Sequence, residues 1–457
     1  MIDGPRRLAG AAILACLLAA PAIAETAPRT PPRGLSRIEH IVVIYLENHS
    51  FDNLFGTFPG AEGLAKADGR ALQVDREGHP YKVLPPVVDA VANPPRVDPR
   101  FPTDLPNRPF PIDKYMPPDM KTPDLVHRYY QQLAQIDGGR MDGFVAYTNA
   151  GGLVMGYQDG SKLALWQYAR QYTLADHFFH AAIGGSFLNH FWTICACTPR
   201  YDDAPESVRV QLDAKGNLVK DAAVSPDGFA VNTIYTVYTP HPANTPKPEL
   251  LPPQTMRTIG DALSEKGVSW AWYSGGWNDA VAGKPDRRFQ YHHQVFAYFE
   301  RYGDGTAARR EHLKDETDLM AALDGGTLPA VVFWKPIGEF NEHPGYADTL
   351  SGDRHIADVI EKIRRGPLWR STAIIVTYDE NGGFWDHVPP PKGDRWGPGV
   401  RVPTVIISPF AKRHFVDHTR YDTTSILKLI ETRFGLAPLG ERDAKAHDLL
   451  NAFNFGR

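Results

Sequence analysis

An α/β fold with a mostly parallel central sheet is predicted by three observations. Two apolar, largely β-branched runs, Ile41–Leu46 and Thr372–Tyr378, lack polar alternation, as strands buried on both faces do. Each run stops at carboxylates, Glu47 in the first case and Asp379-Glu380 in the second. Between them a helix, glycine, strand rhythm recurs, which is the grammar of successive βα units.

Taken in order, residues 1–24 read as a secretory signal: Arg6 and Arg7, an apolar stretch from Leu8 to Leu18, then Ala22-Ile23-Ala24 as the cleavage site. Export to the periplasm or medium is expected, by the general secretory route or, given the arginine pair, the twin-arginine one. The apolar stretch is too short to span a bilayer, so no stable membrane insertion is expected. Cys16 leaves with the signal. Only Cys195 and Cys197 remain, and because a bridge across one residue is strained, no structural disulfide is expected. The remainder, 25–457, reads as one catalytic domain. Its formal charge of −4 implies neither nucleic acid nor an acidic surface as partner.

After a Pro- and Arg-containing leader and the first strand, residues 60–123 are so dense in proline that they predict a loop wrapping the core. A helix from Asp124 to Gln135 would put His127 on its first turn. Ser161 to Tyr172 is helical and leads into Thr173-Leu174-Ala175. The glycines of Gly184-Gly185-Ser186 precede helical spacing at Phe187, Phe191 and Ile194, so Ser186 falls at or near an N-cap. The weakly patterned stretch 200–255 predicts a cap insertion. Thr258–Lys266 is a helix, Val268–Tyr273 and Leu328–Trp334 are strands, and Arg354–Arg364 is the helix feeding the Asp379 strand. Val402–Ile407 adds a strand and Ser425–Phe434 a closing helix.

Ligands of open α/β sheets bind at the carboxyl ends of the strands, where adjacent acids are costly unless a cation neutralises them. Glu47, Asp379 and Glu380 are oxygen ligands for a divalent metal ion, and Asn48 either coordinates it or donates to a bound anion. A helix start offers unpaired amides and partial positive charge, which suits phosphate and a nucleophilic Ser186. A plain capping serine is the alternative reading.

The stretches Ile38–Asp52, Val402–Phe410 and Val416–Leu427, with the glycine-serine and Asp-Glu segments, resemble the phospholipase C and acid phosphatase family of phosphoesterases. That resemblance implies a three-layer α/β/α sandwich of the alkaline phosphatase type. It implies one divalent metal ion, calcium, magnesium, manganese or zinc, held by Glu47, Asn48, Ser186, Asp379 and Glu380. Ser186 would be the nucleophile and form a phosphoserine. Asn48, His127, His293 and His343 would hold the phosphate, and His127, His292, His293 and His343 would include the general acid. Serine in Gly-Gly-Ser-Phe-Leu-Asn-His differs from the threonine version followed by Pro-Asn-Arg in phosphocholine-specific members, which also carry further β-rich domains. Both departures point to an acid phosphatase, with cleavage of phosphatidylcholine-type diesters as the alternative. The substrate is thus a phosphate ester, phospholipids included, and the oligomeric state stays open. Phosphate held by protonated histidines predicts an acidic optimum. A secreted protein using the ion only structurally is the rival of another class.

Overall fold

The computed structural model describes residues 33–67, 69–90 and 92–456; the expected signal, 1–24, lies outside them. An eight-stranded sheet is built from β1 (His40–Leu46), β2 (Thr173–Ala175), β3 (Trp270–Ser274), β4 (Leu313–Asp315), β5 (Val331–Lys335), β6 (Thr372–Tyr378), β7 (Thr404–Ile407) and β8 (Phe415–Asp417). Its order is β4-β3-β5-β1-β6-β7-β2-β8, and only the two pairings of β7 are antiparallel. Every residue of β3, β5, β6 and β7 is buried, so both faces of the sheet are covered, which accounts for the unalternating apolar runs.

Register does the positioning. β1 lies between β5 and β6, with Ile44 opposite Trp334 and Leu46 opposite Tyr378. The residues just past the strands, Glu47 and Asp379, therefore emerge side by side, and Lys335 ends β5 next to them.

The helices that matter here are α1 (Phe51–Phe55), α2 (Tyr129–Ile136), α3 (Ala164–Gln171), α4 (Ser186–Cys195), α5 (Ile259–Glu265), α6 (Thr349–Arg365) and α7 (Thr424–Phe434). α3 packs on α6 and on β7, while α4 packs on α5 and α7. The proline-rich segment makes only short strands and turns over its own apolar core, where Leu84, Phe101, Phe110 and Met116 meet Phe144 and Trp385. Residues 200–255 hold a small hairpin and are tied to α2 through Asp221 with Arg128 and through Asn232 Oδ1, which accepts from Tyr129 N at 3.1 Å.

Three expectations are corrected. α2 begins at Tyr129 after an extended N-cap, Arg128, so His127 stands before the helix and not on its first turn. α7 does not close the chain, since a short helix, Glu441–Lys445, follows. Cys195 and Cys197 form a disulfide, with Cα atoms 5.1 Å apart. The reason is local: α4 ends at Cys195 and Ala196 turns left-handed (φ 46°), which folds two residues back within bridging distance.

Candidate active site

Glu47 is the first residue past β1, and Asn48 after it takes a left-handed conformation (φ 69°) uncommon for a residue with a side chain. The turn lets Ser50 cap α1, its Oγ accepting from Asn53 N at 3.1 Å, and lets Asn48 N donate to Asp379 Oδ1 at 3.3 Å. Gly382 is required opposite it, because a Cβ there would meet Asn48 O at 2.2 Å. Gly185 is required for the same kind of reason: its Cβ would lie 2.5 Å from His127 O.

Ser186 is the first residue of α4, with Gly185 as the N-cap, and is 6% exposed. Its Oγ donates to Asn48 Oδ1 at 3.2 Å. One turn along, His190 Nδ1 donates to Ser186 O at 2.7 Å and lies 3.8 Å from Asp379 Oδ2. His127 and His343 face each other with ring centroids 5.5 Å apart. Each gives its Nδ1 proton to a backbone carbonyl, Leu125 O and Pro344 O, both at 2.5 Å. Their Nε2 atoms therefore point into the site as lone pairs unless the ring is protonated. His127 Nε2 accepts from Asn48 Nδ2 at 3.3 Å and lies 3.7 Å from Glu380 Oε1; His343 Nε2 lies 3.6 Å from Glu47 Oε2. His293 Nε2 contacts Glu47 Oε1, and His292 stands edge-on to His293 at 4.7 Å.

Every sequence-named residue, Glu47, Asn48, His127, Ser186, His292, His293, His343, Asp379 and Glu380, is thus in this one cluster. Two members escaped the sequence reading. Lys335, fully buried, reaches Glu47 Oε1 at 2.8 Å. The available signal was the same one that marked Glu47, a charged residue directly after a buried strand. His190 stacks on His293 at 5.2 Å and flanks Asp379. His49, His180 and His387 are turned into other parts of the fold, bonded to Asn53, to Ala182 O and to Asp52.

Burial strips water from all these groups and disfavours their charged forms. It pushes Asp379 up to about 7 against the pull of Lys335, and it pushes Glu380, with Asp379 beside it, well above the carboxylate range. Glu47 is also raised by burial, but His293 and Lys335 outweigh this and hold it well below. Burial lowers His293 to about 4 and lowers His343, His292 and His190 as well. Asp379 Oδ2 and Glu380 Oε1 are buried with no hydrogen bond, and Glu47 Oε1 is buried against the Lys335 ammonium and His293 Nε2. Three such carboxylate oxygens beside Asn48 and Ser186 Oγ are the donor set of a hard divalent cation, so the residues present fit the expected metal.

The cluster opens into a cavity of about 400 Å³. Its lining joins Glu47, Ser186, His127, His292 and His343 with polar Asp124, Arg128, Asn149, Asn232, Thr233 and Gln290 and with apolar Leu125, Val126, Phe187 and Tyr346.

A model of the Phosphoesterase family matches residues 38–437. Phospholipase C B of Mycobacterium tuberculosis is 27% identical over 494 residues, spanning 96% of this chain and 82% of its own. Non-hemolytic phospholipase C of Burkholderia pseudomallei is 26% identical over 515 residues, spanning 99% of this chain and 65% of its own. Among solved structures, the lipoteichoic acid synthase LtaP from Listeria monocytogenes aligns with a TM-score of 0.38 at 8% identity, covering 92% of this chain and 78% of that one. A protein in the alkaline phosphatase superfamily from Vibrio parahaemolyticus aligns with a TM-score of 0.35 at 12% identity, covering 72% and 73%.

Proposed function

The chain belongs to the Phosphoesterase family and is a phosphoric-ester hydrolase; we propose that it is an exported, metal-dependent acid phosphatase acting through Ser186. The observation that carries this reading is the placement of Ser186 Oγ, on a helix N-terminus and 3.2 Å from Asn48 Oδ1, in the lining of the cavity. A divalent ion held by Glu47, Asn48, Ser186, Asp379 and Glu380 would supply Lewis acidity and lower the pKa of the serine hydroxyl.

The chain's own residues do the rest. Ser186 Oγ attacks phosphorus in line, the ester P–O bond breaks, and a phosphoserine forms that water then hydrolyses. Asn48 Nδ2 and the unpaired amides at the start of α4 hold the phosphoryl oxygens. His127 and His343 reach the cavity through Nε2, so a protonated ring there hands its proton to the departing alcohol. Burial holds His343, His292 and His293 below the ordinary value. A phosphate dianion raises them again on binding, so activity is expected to fall as pH rises past neutrality.

Asp124, Arg128, Asn149, Asn232, Thr233 and Gln290 in the cavity lining favour a soluble monoester. A second reading, phospholipase C, is favoured by the relatives that carry that name. Hydrolysis of p-nitrophenyl phosphate against p-nitrophenylphosphorylcholine and phosphatidylcholine vesicles separates the two, and survival of activity after chelation would refute metal dependence. Ser186→Ala should lower turnover by about 10⁴-fold or more and abolish trapped phosphoenzyme; a nearly active variant would reject the nucleophile.

A further inference from the structure

Lys335 has no part in the reaction above, yet it is buried at the centre of the cluster. It is 0% exposed, and its Nζ lies 2.8 Å from Glu47 Oε1, 3.8 Å from Asp379 Oδ2, 3.3 Å from Leu46 O and 5.1 Å from the Tyr45 ring centre. An ammonium so deep is costly unless paired. The same carboxylates are flanked by three imidazoles that the metal reading leaves unused. His293 touches Glu47 Oε1, His190 lies 3.8 Å from Asp379 Oδ2, and His292 sits against His293. His190 and His292 have a buried Nε2 with no hydrogen bond, and that of His293 lies against Glu47 Oε1. Two groupings, Glu47 with His292 and His293, and Glu47 with His190 and Asp379, bring potential ligand atoms within 4.8 Å of one another. Imidazole nitrogens with shared carboxylates are the usual donors of a second, borderline divalent ion in a two-metal phosphoesterase site.

We propose that Lys335 is a built-in second cation: its ammonium fills the carboxylate and imidazole nest of Glu47, Asp379, His190 and His293, and so holds the centre to a single metal ion. Charge supports this. One divalent ion and one ammonium neutralise the three carboxylates in full, while a second divalent ion beside Glu47 Oε1 would meet the ammonium at contact distance. The inference rests on the metal-dependent reading given above.

The test loads metal-free full-length enzyme with manganese(II), counting bound metal by mass spectrometry and recording its electron paramagnetic resonance. Wild type and Lys335→Arg should take one equivalent into the centre, with the spectrum of an isolated ion. Lys335→Gln should take a second equivalent and show the spin-coupled spectrum of a pair about 4 Å apart. A coupled pair in the wild type, or a folded Lys335→Gln that stays at one equivalent, overturns the proposal. So does failure of both Lys335→Gln and Lys335→Ala to fold in manganese while Lys335→Arg folds, because the second ion should replace the missing charge. Wild type that binds no manganese, zinc, calcium or magnesium refutes the underlying metal reading as well.

Discussion

Two clusters of buried charge sit on the same pair of chain segments, one at the strand ends and the other a few residues on. At the strand ends, Asp379 and Glu380 each keep a carboxylate oxygen without a hydrogen bond, while Glu47 Oε1 faces Lys335 and His293. Further along, Asp52 and Asp386 have all four oxygens engaged. Arg401 donates to Asp386 from Nε at 2.9 Å and from Nη2 at 3.1 Å, and to Asp52 Oδ1 at 3.2 Å. His387 Nδ1 donates to Asp52 Oδ2 at 2.6 Å, and Asp52 N to Asp386 Oδ2 at 3.1 Å. Equal burial thus serves opposite ends. The satisfied cluster staples the α1 turn to the loop after β6, and the unsatisfied one, held still by that staple, is left with valence for something outside the chain.

The sharpest way to break this contrast is to remove one acid from the unsatisfied cluster. Glu380→Gln should cost about four orders of magnitude in turnover, about 5 kcal/mol, together with bound metal. The melting temperature of the metal-free protein should hold or rise, because burial already disfavours the carboxylate and the amide that replaces it carries no charge. A marked fall in that temperature, read by calorimetry, would show that the acid was structurally paired after all. In the satisfied cluster the outcome reverses. Arg401→Met should lose about 3–5 kcal/mol in urea unfolding, because Asp52 and Asp386 would be left buried and unpaired; a neutral result would dissolve the distinction.

Proton linkage gives a smaller effect. Burial raises Asp379 to about 7 and raises Glu380, with Asp379 beside it, well above the carboxylate range. With folded values above the unfolded ones, their contribution to stability is fully present below about pH 4 and is lost as pH rises through about 7. A bound divalent ion takes the protons' place, so the metal-induced rise in stability should grow between pH 5 and pH 8 by up to about 1.4 kcal/mol per pH unit for each proton displaced. His293, lowered to about 4 by burial, works the other way, losing stability as pH falls from about 6.5 to 4. Melting curves with and without metal across that range would show a flat difference if protons and metal did not compete. Smallest is Ser50→Ala, which removes the α1 cap and the 2.7 Å bond from Ser50 Oγ to Trp385 O that links the two segments. The expected loss is about 1 kcal/mol, read in the same unfolding assay.

Much of the frame was open to reading along the chain. A strand buried on both faces writes itself as an unbroken apolar run, so β1, β5, β6 and β7 were visible, and so were the acids at which two of them stop. The glycine pair before Ser186 marked a turn into a helix, whereas the close approach at Gly382, whose Cβ would meet Asn48 O, shows only in the folded chain. Irregular backbone was harder: the segment before Tyr129 carries helical spacing but ends in an extended Arg128, and the Cys195–Cys197 bridge depends on one left-handed residue that no periodicity announces.

What residue order alone determined, then, was the strands, their charged stops and the residue types that cluster near Ser186. Which acids would find a partner was decided only in three dimensions. Asn48 and Asp379 are 331 positions apart, and Asp52 and Arg401 are 349 apart. Neutralising a buried charge requires a counter-charge within a few ångströms, and sheet register, not neighbourhood along the chain, sets that distance. The same register brings Lys335 to Glu47 and leaves Glu380 with no cation of the protein's own that is always charged.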